Sequence, residues 1–488
     1  MNNSSNKNNA LEQELVTKTN ELEQHRNAML KKGVALTIAD IVNRIESHKD
    51  DITQLMIGKI QKKQLQNKVA SILVEATDGK VRVPHFSQSL EKTSPIWVYV
   101  GTHWEEILDV QIFNDFIRDA CRQMELSEDF VDDVPFFKNL KKQLELKFSR
   151  YTEPEDDENI VLVNFVNGTL EIMRDGTPHL RPHYREDFLR YVLPYVYDPQ
   201  ADCPRFRQFL DEILPDQTVQ LMIKEYIAYC LVPWSHQEKV MAFLGGGSNG
   251  KSKLIGVIEK LFGGTSVAHE NIYDLTRDEV HRANIEGKLI NVSTENEGRI
   301  NAAVFKTLAS GEPVSCKRLY SQPYTMKRYA KLLFAFNDMP QIKSGYGNMR
   351  RWLLIKFDVR ISEEQADTEL GEKLAVEIPG IMNLVLNVLP DFLKRKKFCK
   401  SAAVEQAIKD LEIRNDSVLQ FIEDRCETNT TILTKGSSLF EAFCEYCKQN
   451  KYNEMTNREF YRRLEEKYPS KMDGHQKAFH IKVVRYED

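Results

Sequence analysis

Apolar positions recur every three or four residues over long stretches of this chain and gather into short runs elsewhere. The first pattern predicts helix, and the second, bounded by turn residues, predicts strand. Residues 1–9 are Asn- and Ser-rich and too polar to form a core. Leu15, Leu22 and Met29 then recur at seven-residue spacing. That repeat is too short for a coiled coil and predicts a helix lying on a neighbouring domain or subunit. Thr37 to Ile45 and Ile52 to Leu73 continue in helical style. The texture changes near Lys92. Ile96 to Val100 alternates as a strand does, Gly101 to His103 forms a turn, and helix follows from about Val110 to Leu144. Tyr151 to Asn159 is an acidic loop. Ile160 to Val166 and Thr169 to Met173 are strands joined by Asn167-Gly168, a hairpin dipeptide. Phe206 to Val232 predicts helix.

Strand patterns at Val240–Leu244, Lys288–Thr294, Leu332–Phe336 and Trp352–Phe357 alternate with helical ones. Such alternation predicts a parallel sheet wound with helices, which binds ligands at the carboxyl ends of its strands. After Lys400 the pattern is helical. Helices are expected at Ser437–Gln449 and Asn457–Tyr468, the second opened by a capping box of Thr456 and Glu459, with a last strand at Ala478–Val484. That order resembles a winged helix. The fold class is therefore multidomain α/β. A helical region (1–92) and an α+β module (93–235) precede a phosphate-loop core with a parallel sheet (236–400), and a winged-helix-like module (401–488) follows.

At 488 residues, 41% hydrophobic and 28% charged, the chain has the make-up of a globular protein of about three domains. A net charge of −5 excludes a chain that is basic throughout, though not local basic patches. No apolar run approaches the roughly 20 residues that span a bilayer. The start lacks a signal-peptide core, so a cytoplasmic protein without a membrane partner is expected. Eight scattered cysteines fit a reducing compartment. Cys444 and Cys447 form a C-x-x-C inside a helical pattern, with no second ligand pair for zinc nearby.

One stretch carries sharper chemistry. Gly245-Gly246-Gly247-Ser248-Asn249-Gly250-Lys251-Ser252 fits the phosphate-loop pattern at every fixed position, between a predicted strand and a predicted helix. Glycines let backbone N–H groups curl round phosphate oxygens, and the following helix turns its positive end to the anion. ATP and Mg²⁺ are the expected cofactors, with Lys251 on the β- and γ-phosphates and the Ser252 hydroxyl on the metal. Glu295 and Glu297 follow the second strand, Asn337 ends the third, and Arg350-Arg351 precede the fourth. Lys317-Arg318-Leu319-Tyr320 to Lys327-Arg328 reads as a hairpin with basic flanks. It is suited to a phosphate backbone, with Tyr320 or Tyr324 placed to stack on a base, or else is a charged surface hairpin. Arg458, Arg462 and Arg463 share one C-terminal helix, which reads equally as a DNA contact or a protein-docking face because Glu459, Glu465 and Glu466 dilute its charge.

Together these segments resemble superfamily 3 helicases, in the primase–helicase branch of phages, plasmids and poxviruses. The resemblance covers about residues 93–488. It rests on Ile160–Leu170 with Pro194–Pro199 and Cys203-Pro204, on Gly247–Ser252, and on Gly287–Glu295 as a Walker B strand. Lys306–Glu312 through Tyr320, Phe336–Pro340 as motif C, and Arg350-Arg351 as an arginine finger complete it. The resemblance implies an AAA+-like ATPase that assembles as a ring, usually a hexamer. It also implies 3′ to 5′ movement on one DNA strand to unwind duplex, in replication of a mobile genetic element. It puts Glu295 in the catalytic carboxylate position, with Glu297 a second candidate and Thr294 where relatives often carry another acid. It leaves open which of Arg350 and Arg351 is the finger. Lys306, Lys317, Arg318, Tyr320 and Lys327 are the implied channel contacts, and Arg458 and Arg462 the outer ones. Asp40, Asp50, Asp51 and Asp78 lack the strand context of a two-metal primase site, so a helicase without primase is expected. The competing expectation is an ATP-switched origin-binding initiator that recruits another helicase.

Overall fold

The computed structural model describes residues 33–45, 52, 61–83, 95–107, 109–149, 157–233, 237–294, 300–319, 322–339, 349–362, 364, 367–428, 430–450, 452, 455–473 and 476–484. Two compact units divide the chain, with the boundary between Asp198 and Pro199.

In the first unit, helices Lys62–Ala76, Val110–Gln123 and Val134–Phe148 pack with an antiparallel sheet of β1 (Val81–Arg82), β2 (Ile96–Tyr99) and β3 (Trp104–Ile107), in that order. Their apolar stripes form one core, which includes Val69, Leu73, Val98, Ile117 and Leu140. Two of the helices begin where an aspartate accepts a free N–H of the first turn: Asp109 from Gln111 (2.9 Å) and Asp133 from Phe136 (3.0 Å). A second antiparallel sheet holds β4 (Ile160–Phe165), β5 (Gly168–Met173) and β6 (Pro178–Arg181). Phe165 pairs with Gly168 across the turn, as the Asn167-Gly168 signal predicts. Strand β6 carries no sequence signal, because it opens with proline and its side chains are mostly exposed. Arg181 fastens it through Glu171 (2.5 Å) and the Asp187 carboxylate (2.8 and 2.9 Å).

The second unit is built on β7 (Val240–Leu244), β8 (Val267–Ala268), β9 (Ile290–Ser293), β10 (Val314–Cys316), β11 (Tyr324–Met326), β12 (Lys331–Phe336) and β13 (Trp352–Lys356). Five of these form the expected parallel sheet, in the order β13-β7-β12-β9-β8. Leu244 lies level with both Phe336 and Lys356, and Phe334 with Ser293, so the carboxyl ends share one edge. The two-residue β8 is too short to show a period. Strands β10 and β11 form the expected hairpin outside the sheet.

The helical stretch expected at Phe206–Val232 is two helices, Pro204–Ile213 and Gln217–Cys230. Pro215 cannot continue the first, and Asp216 caps the second by accepting from Thr218 N–H (2.8 Å). Both belong with the sheet, whereas their sequence position suggests the preceding module. The buried Tyr226 hydroxyl donates to the Leu332 carbonyl of β12 (2.5 Å), and buried Glu225 accepts from Cys399 N–H (2.7 Å). Helix Ala402–Asn415 likewise adds Ala407 and Leu411 to the sheet's core, and Asp410 pairs with Lys356 at 2.7 Å. Turn residues mark where a chain bends, not which surface it then covers.

The C-terminal part has its own core, including Val418, Phe421, Leu439, Phe443, Phe460 and Phe479. Helices Ser417–Arg425, Gly436–Asn450 and Asn457–Glu465 pack with five short strands: β14 (Cys426–Glu427), β15 (Thr434–Lys435), β16 (Lys471–Asp473), β17 (Gln476–Phe479) and β18 (Lys482–Val483). Strands β15, β17 and β16 form an antiparallel sheet in that order, and β14 pairs with β18. The expected last strand is thus broken in two. Half of the capping box forms: Thr456 Oγ1 accepts from Glu459 N–H (3.3 Å), while the Glu459 carboxylate turns to Arg462 and Arg463. Cys447 is buried in a helix, and none of the eight cysteines is in a disulfide. No group of three or more His, Cys, Asp or Glu suited to a metal occurs among the described residues. No single helix among them is long and apolar enough to cross a membrane.

Candidate functional site

The carboxyl edge of the parallel sheet gathers the loop after β7, Thr294 after β9 and Asn337 after β12. The phosphate-loop segment runs from β7 straight into helix Lys251–Phe262. Gly250 caps that helix at φ +81°, a conformation that disfavours any Cβ by about 1–2 kcal/mol. A Cβ there would also lie 2.5 Å from Ile213 Cγ2. Phe209 and Ile213 therefore floor the loop, and no motif singles them out. Asn249, 5% exposed, braces it from inside: its amide donates to Gly246 O (2.5 Å) and Phe357 O (3.2 Å), and its Oδ1 accepts from Lys251 N–H (3.3 Å). Ile361 N–H donates to Ser248 O (2.7 Å) from the segment after β13. Side chains fix this turn from two directions, while space is open where a Cβ would stand at Gly246 and Gly247.

Lys251 is 8% exposed. Its Nζ donates to Gly245 O (2.8 Å), Phe336 O (2.9 Å) and Asn337 Oδ1 (3.3 Å). Burial holds the ammonium below the usual lysine range. These three oxygens are neutral, so the charge is oriented but not cancelled. An anion resting on the open side of the loop would meet a desolvated cation and a helix N-terminus together. Ser252, in the first helical turn, is exposed. The residues thus fit a nucleoside triphosphate with its metal. Glu295 and Glu297 lie outside the described residues, just past exposed Thr294.

The two arginines before β13 differ. Arg351 is 2% exposed; it donates to Glu238 Oε2 (3.1 Å) and Ser310 Oγ (3.2 Å), and its carbonyl accepts from Val240 N–H (2.8 Å). Arg350 is exposed and shares the same Glu238 oxygen (3.0 Å). Glu238, the residue that links the pair, was not legible as a site residue. It is one acid among many, and only the fold sets it beside residues more than a hundred positions later.

The basic residues expected at the channel are split. Lys306 is exposed on helix Ala302–Ser310, before the hairpin; of the hairpin residues, Lys327 is exposed, Lys317 is half-buried, and Arg318 pairs with Glu286 (3.4 Å). Tyr320 lies outside the described residues. Tyr324 is half-buried, packs against the sheet's core and donates its hydroxyl to Glu286 (2.6 Å), so it is engaged within the fold. Burial, and then the Glu286 carboxylate, push that hydroxyl well above its usual range. In the C-terminal module Arg458 is exposed. Arg462 is held by Glu459 (2.7 and 3.0 Å) and Glu466 (2.6 Å).

Comparison with known proteins agrees with this arrangement. A family model described as D5 N terminal like matches residues 84–215, a family of unknown function (DUF5906) matches 243–351, and one described as Poxvirus D5 protein-like matches 413–486. A protein of Acanthamoeba polyphaga mimivirus, named as an inferred helicase, is 26% identical over 273 residues, which is 49% of this chain and 28% of that relative. The chain thus spans under a third of that protein's length. The apo structure of the NrS-1 C terminal region in its A form aligns with a TM-score of 0.50 at 11% identity, over 85% of this chain and 98% of the other, a likeness of fold. Two segments similar to D5-described families thus flank, along the chain, the parallel sheet with its braced glycine-rich loop, and the chain resembles D5-type primase–helicases.

Proposed function

We propose that this chain is an ATP-driven DNA helicase of superfamily 3, working in replication of a mobile genetic element. The observation that carries the reading is the buried Lys251 ammonium. It is fixed at the carboxyl edge by Gly245, Phe336 and Asn337 and faces an open, braced loop. Lys251 would meet the β- and γ-phosphates, Ser252 the Mg²⁺, and Asn337 the γ-phosphate or the attacking water. Glu295 would activate that water, with Glu297 the alternative. Bound Mg²⁺ would neutralise charge on the phosphates. Arg350, the exposed member of its pair, would reach the ATP of the neighbouring copy, while buried Arg351 braces its own subunit. An AAA+-like ring, a hexamer moving 3′ to 5′, follows from the family resemblance. Within its channel the exposed Lys306 and Lys327 and half-buried Lys317 suit single-stranded DNA, and Tyr320, three residues after Lys317 in sequence, would add a stacking ring. Three helices with the β15-β17-β16 sheet support a winged-helix reading of the C-terminal module.

Strand displacement from a forked DNA substrate tests this. The wild-type chain should displace a strand only with ATP and Mg²⁺. Lys251→Ala should lose hydrolysis and displacement together, by at least about 10²–10³-fold, with its melting curve intact. ATP hydrolysis without displacement would instead favour the origin-binding initiator.

A further inference from the structure

The β10–β11 hairpin is clamped at its base by the short segment that leads into β9. Helix Glu279–Ala283 and the turn after it make these contacts. Arg282, 7% exposed in its side chain, donates through Nε to the Ser315 carbonyl of β10 (2.7 Å) and through a terminal nitrogen to Leu275 O (3.1 Å). Ser315 Oγ donates to the Glu279 carboxylate (2.7 Å), and Lys317 N–H to the Glu279 carbonyl (2.9 Å). Glu286 then accepts from Tyr324 of β11 (2.6 Å) and from Arg318 of the loop (3.4 Å). Its backbone bridges Tyr329, flanked by Gly287 N–H to Arg328 O (3.2 Å) and Ala330 N–H to Ile285 O (3.0 Å).

What this clamp joins matters more than its strength. Residues 285–289 run directly into β9, which ends beside Thr294 and the Glu295 position. Residues 328–330 run directly into β12, whose last residue, Phe336, precedes Asn337, a partner of Lys251. Both strands are hydrogen-bonded to each other along their length, so each is a stiff rod, about 20 Å long for the six residues of β12. The hairpin is thus fastened to the far ends of the two strands whose near ends face the nucleotide loop. A tilt of either rod at the loop end must move the clamp, and the clamp holds both arms of the hairpin.

We infer that Glu286 is a positioning residue that carries the nucleotide state of the phosphate loop to the hairpin, by way of Tyr324 and Arg318. The inference rests on the loop binding a nucleoside triphosphate, the reading given above. It divides the hairpin's basic residues by task. Arg318 holds the hairpin, whereas Lys317 and Lys327 are left for the polynucleotide.

Hydrogen–deuterium exchange of the peptide 314–326, with and without a non-hydrolysable ATP analogue, tests this on the full chain. In the wild type the analogue should change exchange of that peptide several-fold. In Glu286→Ala and in the milder Tyr324→Phe the change should be lost, with analogue affinity within about twofold of wild type. Glu286→Gln, which keeps one acceptor for Tyr324, should restore part of it. Removal of a hydrogen bond to a charged group should lower the ATP-driven displacement rate roughly tenfold without changing basal hydrolysis. A wild-type peptide indifferent to the analogue overturns the inference. So does a Tyr324→Phe variant that responds as wild type, or equal loss of basal hydrolysis and displacement. If the analogue does not bind at all, the nucleotide reading itself fails, and that outcome is seen in the binding measurement alone.

Discussion

The loop edge of the sheet and the helix Asn457–Glu465 both carry conspicuous cations, yet their electrostatics are opposite. Lys251 is buried against neutral oxygens, so its charge is aimed and uncompensated. Arg462 is solvent-exposed but is tied to two carboxylates, and Arg463 to Glu459 and Asp416. A cation that lacks a neighbouring anion is costly to bury, so one held that way is the more available to an anion from outside. A cation with acids one turn away is already answered, and it stabilises a helix by a few tenths of a kcal/mol per pair. Formal charge along a sequence therefore says little about which charge is available. Burial, and the nature of the nearest oxygen, decide it.

The sharpest way to break that comparison uses the arginine pair that shares Glu238. Arg350→Ala should leave folding and nucleotide affinity near wild type and lower turnover by roughly 10³–10⁵-fold, the scale for a missing finger. Hydrolysis should return in part when this variant is mixed with Lys251→Ala, since each copy supplies what the other lacks at their shared interface. Arg351→Ala should do the reverse. It empties a buried position and strips Ser310 and Glu238 of a donor, so thermal unfolding should show a loss of about 2 kcal/mol, with hydrolysis falling only as the folded fraction falls. Equal kinetic defects in two equally stable variants would remove the distinction between the exposed and the buried arginine.

Much of this was legible in the sequence, for a physical reason. Strands β7, β9, β12 and β13 are buried on both faces, so each reads as a continuous apolar run bounded by polar residues. The phosphate loop is legible because its backbone conformation demands glycine at Gly250 and an amide brace at Asn249. What escaped the sequence depends on partners distant along the chain. Strand β6 is held by Arg181, not by apolar alternation. The helices at 204–230 read as the end of one module but floor the loop of the next. Glu238 and Glu286 look like any surface acids until the fold brings Arg350, Arg351, Arg318 and Tyr324 to them. Pairings of this kind leave no periodic trace.

The smallest expected effect sharpens the other side of the comparison. Arg462 and Arg463 together pull the Glu459 carboxyl down to about 2. A carboxyl held below its unfolded value contributes stability that is complete above about pH 4.3 and is lost as pH falls toward 2. At neutral pH the two guanidinium groups therefore stay engaged, and the helix offers less positive charge than its sequence suggests. Glu459→Gln removes that hold while keeping the Thr456 cap, which uses only the backbone N–H. If this helix meets DNA, the variant should bind a random duplex a few-fold more tightly. Its salt dependence should steepen by about one phosphate contact, because a released guanidinium can displace a counterion. Arg462→Ala should weaken binding by less than that gain, since Arg462 is largely spoken for in the wild type. A duplex affinity and salt slope unmoved by Glu459→Gln would take the helix off the DNA and leave it as a protein-docking face, with Arg458 its exposed cation.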